Sequence, residues 1–263
     1  MKRQPIPLLD FDPTREAIIE PHKVIKHRDV PPLCVLCFFR EVIDGARKRL
    51  SLTELPPLKS EMGKVPVYKG TFGGHVLGVI PAAVGASLAA GLFEEVIARG
   101  GRKFVVCGGA GVLDRSIASG DIIIPTSAVR DEGTSYHYLP PLAEARPSPK
   151  VVRAMLRVLK RHKCPFLKGK TWTTDAFYRE TRAKVARRRS QGCLTVEMEA
   201  AALFAVAAFR KVKIGQFLYG GDDVSGLKWD PRHFGMRISA RERLFWLSVE
   251  ACVELDAPLR RRR

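Results

Sequence analysis

The chain has 263 residues, of which 46% are hydrophobic, and its formal net charge is +18 at pH 7. This length and apolar content suffice for one large domain with a packed core, and no apolar run approaches the ~18 residues that a membrane span requires. The positive charge favours contact with anions, but no zinc-finger spacing or RNA-binding aromatic motif accompanies it, so specific nucleic-acid binding is not expected.

The first 32 residues are rich in proline and charge, and we predict an irregular segment there. They contain no apolar leader, so the sequence favours a cytoplasmic protein whose six cysteines are free thiols. Cys34 and Cys37 have the CxxC spacing of a metal or redox site. No second cysteine pair completes a zinc tetrahedron, so we predict buried strand cysteines and no bound metal.

Buried strands and helices alternate from residue 33 onward. Residues 33–39 form an apolar run typical of a buried strand, and Arg40 and Glu41 follow at its carboxyl end, where ligands gather in open α/β sheets. A hairpin around Gly73 and Gly74 precedes a helix that runs from about residue 82 to residue 99. This helix begins near Gly85, and a glycine turn into a helix can hold an anion.

Residues 103–107 predict the next buried strand, and Gly108, Gly109 and Gly111 follow it in the most glycine-dense stretch of the chain. Such a stretch favours a tight turn, because glycine permits positive φ and close approach of the backbone to a ligand. The turn is either a plain connection or an anion site. Residues 147–162 then predict a basic amphipathic helix.

Two glutamates stand at the head of an alanine-rich run. Glu197, Met198 and Glu199 precede residues 200–208, which predict a buried helix because few of these side chains can reach water. Acids are favoured in the first turn of any helix, which is one explanation. The other is a binding site, in which one acid faces a cleft while a partner holds the other.

Near its end the chain carries a strand over residues 212–219, followed by Asp222 and Asp223. A tandem Asp is commonly a capping or metal-binding pair, but a buried carboxyl beside a second negative charge can also act as a proton donor. A last helix is predicted over residues 239–255, and residues 258–263 form a basic tail.

Three segments, residues 196–201, 173–178 and 108–125, resemble the purine and uridine phosphorylases, a nucleoside phosphorylase family with hydrolase relatives. The resemblance covers about residues 33–255. It agrees with the alternating elements in predicting a single-domain α/β/α sandwich with a central mixed β-sheet over residues 33–257. It also implies a homo-oligomer, either a dimer or a hexamer.

The resemblance implies roles for the substrate-binding residues. Met198 and Glu199 would hold the ribose hydroxyls, since a carboxylate accepts strong hydrogen bonds from a cis-diol. Phe177 would stack on the base with Tyr178 as the second candidate, although both rings could instead pack in the core. Asp222 would protonate N7 of a purine. The expected substrate-binding set is Phe177, Tyr178, Glu197, Met198 and Glu199, with Asp222 catalytic.

The phosphate ligands of the family are only partly present. The candidates are Arg40, Gly85, Gly108 and Gly109. The family's glycine-rich phosphate turn is replaced around Arg40 by two phenylalanines and a glutamate. Val106 and Gly109 occupy the places of an arginine and a hydroxyl residue that hold phosphate in most relatives, and the hydrolase branch lacks that arginine too.

These residues predict an enzyme that cleaves the N-glycosidic bond of a purine-type nucleoside, in a role such as purine salvage. We expect phosphorolysis to free base and ribose 1-phosphate, with phosphate as co-substrate and no other cofactor. One alternative is a nucleosidase in which Glu41 activates water. Another is a noncatalytic module that binds a nucleoside or a polyanion.

Overall fold

The computed structural model describes residues 6–234 and 237–256, so the predicted basic tail lies outside the described residues. Its strands are β1 (Leu33–Cys37), β2 (Thr53–Ser60), β3 (Gly63–Phe72), β4 (His75–Pro81), β5 (Lys103–Val112), β6 (Ile122–Asp131), β7 (Glu144–Ala145), β8 (Leu167–Thr174), β9 (Cys193–Glu197) and β10 (Lys213–Asp223). Its helices are α1 (Pro21–Val24), α2 (Arg40–Ala46), α3 (Ala86–Ala98), α4 (Pro149–Arg161), α5 (Arg182–Ser190), α6 (Ala200–Phe209) and α7 (Ile238–Glu254).

All ten of these strands belong to one mixed sheet. β1 lies at its centre and pairs in parallel with β4 and β5, while β2, β3 and β4 extend the sheet as an antiparallel meander. On the other side, β5 pairs with both β10 and β9. Between these two strands, β10 pairs with β6, β6 with β8 and β8 with β9, so the strands form a closed circuit through β5. The predicted mixed sheet is confirmed, and half of it closes into a small barrel.

Helices cover both faces of the open half of the sheet. Apolar residues of α2, α4 and α7 pack with alternate residues of β1, such as Val35 and Cys37. The intervening residues, Cys34 and Leu36, pack on the other face against α3 and α6. This two-residue alternation gives the predicted α/β/α layers and separates the two thiols of the CxxC sequence, both of which are buried and free.

The alanine-rich run forms α6, and each of its residues from Ala200 to Ala207 is at most 1% exposed. Small side chains let this helix lie close to α3 and to the sheet, where a longer side chain would not fit. The prediction of a buried helix is therefore confirmed. Its tight packing fixes the position of the residues that precede it, Glu197 to Glu199.

The predicted glycine turn after residue 107 is wrong, because Gly108, Gly109 and Gly111 continue β5 and none has a positive φ. They are needed for space rather than for a turn. A Cβ atom on Gly109 would lie 2.6 Å from the ring of Phe234, and one on Gly108 would lie 3.0 Å from Phe38. These glycines therefore allow aromatic rings to pack close against the sheet.

The predicted irregular N-terminal segment contains a short 3₁₀ turn and the single-turn α1, and it is anchored to the body of the protein. Glu20 is 2% exposed, and its carboxylate lies 3.1 Å from the guanidinium of Arg210. No helix in the described part of the chain combines the length and apolar content needed to cross a bilayer.

Candidate functional site

A cavity of about 790 Å³ opens where β1, β9 and β10 end and along the second half of β5. This volume is typical of a small-molecule site, and the location is where ligands bind in α/β sheets. The cavity brings together most of the residues predicted from the sequence. The predicted residues that line it are Gly108, Gly109, Phe177, Tyr178, Glu197, Met198, Glu199 and Asp222.

Glu197 holds the start of α6. Its Oε2 accepts hydrogen bonds from the backbone N–H groups of Glu199 at 2.8 Å and of Ala200 at 2.6 Å. Its Oε1 accepts the hydroxyl proton of Thr173 at 2.6 Å, and Thr173 in turn accepts the N–H of Ala201 at 3.0 Å. Three donors thus converge on one carboxylate at a helix N-terminus, which makes Glu197 mainly a positioning residue for Met198 and Glu199.

Replacing Glu197 with Ala should destabilise the protein, because it leaves the Thr173 hydroxyl and two helix N–H groups buried without an acceptor. We expect the free energy of unfolding to fall by about 2–4 kcal/mol. Urea denaturation measures this loss, and Glu197→Gln, which keeps one accepting oxygen, should lose less. A Glu197→Ala protein as stable as the wild type would contradict the capping role.

Glu199 joins the N-termini of two helices. It is the N-cap residue of α6, and its Oε1 accepts the N–H of Gly85, the N-cap residue of α3, at 2.6 Å. Gly85 has a φ of +92°, and this conformation favours glycine although space around it is open. Burial, together with the negative charge of Glu197, raises the pKa of Glu199 above its ordinary range. The Gly85 N–H is therefore engaged by Glu199 rather than turned toward the cavity.

The two predicted aromatic residues are on the cavity surface, not in the core. Phe177 is 51% exposed and Tyr178 is 88% exposed, and their ring centroids lie 4.1 Å apart on a 3₁₀ turn. Leu227 and Trp229, which line the same cavity, are also exposed, and contiguous exposed apolar side chains often mark a ligand-binding surface. The arrangement leaves a flat apolar face available for stacking on a heterocyclic base.

Asp222 lies at the carboxyl end of β10, with its Oδ2 accepting the indole N–H of Trp229 at 2.7 Å. The neighbouring Asp223 does not supply the second negative charge that we predicted. Its carboxylate is buried and lies 2.6 Å from the guanidinium of Arg232, so its charge is neutralised away from the cavity. Asp222 therefore lines the cavity, whereas Asp223 forms a structural ion pair with Arg232.

The carboxyl that interacts with Asp222 is Glu180, which sequence reasoning missed. It lines the same cavity three residues after Phe177. Burial, and secondly the charge of Asp222, raises the pKa of Glu180 to about 7. The Glu180 carboxyl is therefore only partly ionised at neutral pH, and a perturbed pKa of this kind in a cavity is typical of functional sites.

Arg40, which the sequence suggested as a phosphate ligand, lies outside the cavity, whereas Arg241 lines it. Arg40 is exposed at the start of α2 and is not among the residues lining the cavity. Arg241, from α7, lines the cavity, and its Nη1 lies 2.6 Å from the carboxylate of Glu41. Its guanidinium carbon is also 5.2 Å from the centroid of the Phe39 ring, so the cation lies beside the end of β1. Glu41, the predicted water activator, is thereby paired with a cation.

Several other residues line the cavity but were not predicted, because the sequence marks them only weakly. Trp229 and Lys228 belong to the irregular segment after β10, and Arg182 begins α5. Gln216 is a polar residue within an apolar strand, which is the one signal that could have been used. Among the residues that the structure describes, no three His, Cys, Asp or Glu side chains are grouped as a metal site would require.

Comparison with known proteins connects this geometry to a family. The model of the phosphorylase superfamily matches residues 32–235. Guanosine phosphorylase of Halorubrum lacusprofundi is 24% identical over 196 residues, which are 74% of this chain and 80% of that protein. Uridine phosphorylase of Treponema pallidum is 29% identical over 162 residues, 57% of this chain and 63% of that protein.

Solved structures show the same fold. Purine nucleoside phosphorylase from Toxoplasma gondii, in complex with immucillin-H, superimposes with a TM-score of 0.78 at 18% identity, covering 92% of this chain and 99% of that one. AMP nucleosidase from Bacteroides thetaiotaomicron superimposes with a TM-score of 0.70 at 22% identity, covering 87% of this chain and 90% of that one. Since the family model spans most of the sequence, the chain belongs to the phosphorylase superfamily and is an enzyme of the nucleoside phosphorylase type.

Proposed function

We propose that this protein cleaves the N-glycosidic bond of a purine-type ribonucleoside by phosphorolysis, releasing the free base and ribose 1-phosphate. The observation that carries the proposal is the grouping in one cavity of exposed aromatic rings, a buried carboxylate and a carboxyl at the end of β10. Phe177 would stack on the base, Met198 and Glu199 would hold the ribose, and Asp222 would protonate the base.

The reaction needs one bond broken and one formed at C1′ of the sugar. As the bond from C1′ to the base nitrogen breaks, its electron pair goes to the base, which takes a proton from Asp222 at N7. The sugar passes through an oxocarbenium-like state, and a phosphate oxygen then bonds to C1′. Asp222 acts as a general acid, which typically contributes about 10²–10⁴-fold. Glu180, whose pKa is raised to about 7 by burial and by the charge of Asp222, supplies a second carboxyl in the same cavity.

The purine preference rests on Asp222 and on the aromatic face. A proton donor at the end of β10 has a target in N7 of a purine, whereas a pyrimidine has no corresponding nitrogen. The relatives include guanosine and uridine phosphorylases, so similarity alone leaves the base open. Comparing base release from guanosine and from uridine tests the preference. Faster cleavage of uridine would contradict it.

Among the cations that line the cavity, which also include Arg182 and Lys228, we select Arg241 as the candidate phosphate ligand. The resemblance locates a phosphate turn at the end of β1, and Arg241 brings a cation to that place from a distant helix. Its present partner is the carboxylate of Glu41, an anion that phosphate can replace. An arginine fork matches the oxygens of phosphate in geometry and charge.

Arg241→Gln should therefore raise the KM for phosphate by about 10–100-fold, because a charge-assisted hydrogen bond is lost. The KM for the nucleoside should change little. Steady-state kinetics with varied phosphate measures both, and Arg40→Ala tests the residue that the sequence favoured. A large increase in Arg40→Ala with none in Arg241→Gln would return the phosphate site to Arg40.

Hydrolysis is the second candidate, and a specific observation favours it. Of the predicted phosphate-binding groups, the N–H of Gly85 is engaged by Glu199, and Gly108 and Gly109 lie within a strand. A site in which these predicted backbone ligands are engaged elsewhere also suits water. In a hydrolase the rate of base release would not depend on phosphate, and the sugar product would be free ribose.

A further inference from the structure

Gln216 is a buried amide on the wall of the cavity whose oxygen has no partner. It lies in β10 and is 2% exposed, in a strand whose neighbouring side chains are apolar. Its side chain lines the cavity, and Oε1 accepts no hydrogen bond from the described residues. Buried polar groups in native proteins are nearly always paired, so such an atom at a cavity wall marks a place for a ligand or a water.

The position of Gln216 follows from the alternation of β10. Phe217 and Tyr219 pack on the face covered by α7, whereas Ile214 packs on the face covered by α3 and α6. Gln216 has the same parity as Ile214 and therefore faces the side where α3 and α6 begin. Its partner in β5 is Val106, an apolar residue that offers no hydrogen bond.

Glu199 faces the cavity from the same side of the sheet, at the start of α6. Its Oε1 accepts the N–H of Gly85, which leaves Oε2 available to a ligand. The cavity wall therefore presents two accepting oxygens, Oε2 of Glu199 and Oε1 of Gln216. A cis-diol carries two O–H donors, one for each of these two accepting oxygens.

We propose that Gln216 is a second ribose-binding residue and shares the 2′,3′-diol of the substrate with Glu199. This inference rests on the proposed function and deepens it, because it makes the enzyme selective for ribosides over deoxyribosides through two residues. The unpartnered amide oxygen requires a donor, which a sugar hydroxyl supplies. The rigid strand also holds Gln216 in place before the ligand arrives.

The test compares Gln216→Met, which keeps length and removes hydrogen bonding, with the wild type. The substrates are a purine riboside and its 2′-deoxy and 3′-deoxy forms. We expect kcat/KM for the riboside to fall about tenfold, the size of one hydrogen bond, while one of the two deoxyribosides is unaffected. The matched control is Thr195→Val, which removes a buried, unpartnered hydroxyl that does not line the cavity.

A second measurement separates this inference from the proposed function. Calorimetric titration with C-nucleosides, whose carbon–carbon glycosidic bond cannot be cleaved, reports binding of the sugar without turnover. The riboside should bind Gln216→Met about tenfold more weakly than the wild type, and one deoxy form should bind both proteins equally. If the wild type releases no base from any nucleoside but shows this binding pattern, the proposed function fails and the inference holds.

Three results would overturn the inference. One is an equal loss on the riboside and both deoxyribosides, which indicates a structural role for Gln216. Another is a higher KM for phosphate with unchanged sugar preference, which would assign Gln216 to the phosphate site. The third is the same loss of riboside preference in Thr195→Val.

Discussion

Asp222→Asn should reduce purine nucleoside turnover by about 10²–10⁴-fold, the usual contribution of a general acid. The substitution keeps the shape of the side chain and leaves an oxygen to accept the Trp229 indole N–H, now 2.7 Å from Oδ2. It removes the proton that the leaving base requires. The nucleoside KM should change little, because the lost interaction belongs to the transition state.

Asp223→Asn is the matched comparison for this variant. Asp223 is the adjacent residue, but its carboxylate is paired with Arg232 and does not line the cavity. We expect it to lower the midpoint of thermal unfolding and to leave kcat of the folded protein near that of the wild type. Undiminished turnover in Asp222→Asn, with base release measured by absorbance, would remove Asp222 from the mechanism.

Glu199→Gln should lower kcat/KM for a purine riboside by about 10–100-fold, because hydrogen bonds to a charged group contribute about 1.5–3 kcal/mol. The amide still offers an oxygen to the Gly85 N–H, so the start of α3 should remain in place. A deoxyriboside that lacks the hydroxyl bound by Glu199 should lose much less. The ratio of the two losses isolates the sugar contact from general damage.

The same variant should remove a pH dependence. Because the pKa of Glu199 is raised in the folded protein, the ionised fraction of its carboxyl grows as the pH rises through that pKa. The preference of the wild type for the riboside should therefore strengthen with rising pH, and that of Glu199→Gln should not. Equal losses on ribosides and on both deoxyribosides would contradict the sugar assignment.

The local parts of the site could be predicted from the sequence. Glu197, Met198 and Glu199 adjoin a helix whose alanine composition is unmistakable, and Phe177 and Tyr178 are adjacent in the chain. Such contiguous residues need only the correct local element to lie together. The proposed roles of these residues remain predictions, as do the homo-oligomer and the cytoplasmic location.

The parts that depend on tertiary contacts could not be predicted. Arg241 reaches Glu41 across 200 positions of sequence, and no local pattern marks that pairing. Gly108 and Gly109 have the composition of a turn, but they lie within β5, where the absence of a side chain leaves space for the rings of Phe38 and Phe234. Closure of half the sheet through β5 likewise depends on non-local strand pairing, which sequence periodicity does not encode.

The most direct test of the central claim is a balance of products from a purine riboside incubated with and without phosphate. Free base, ribose 1-phosphate and free ribose are quantified in the same reaction. Phosphorolysis by this site predicts that base release requires phosphate and that one ribose 1-phosphate forms for each base. Free ribose formed at a rate independent of phosphate, or no base release from any purine nucleoside, would contradict it.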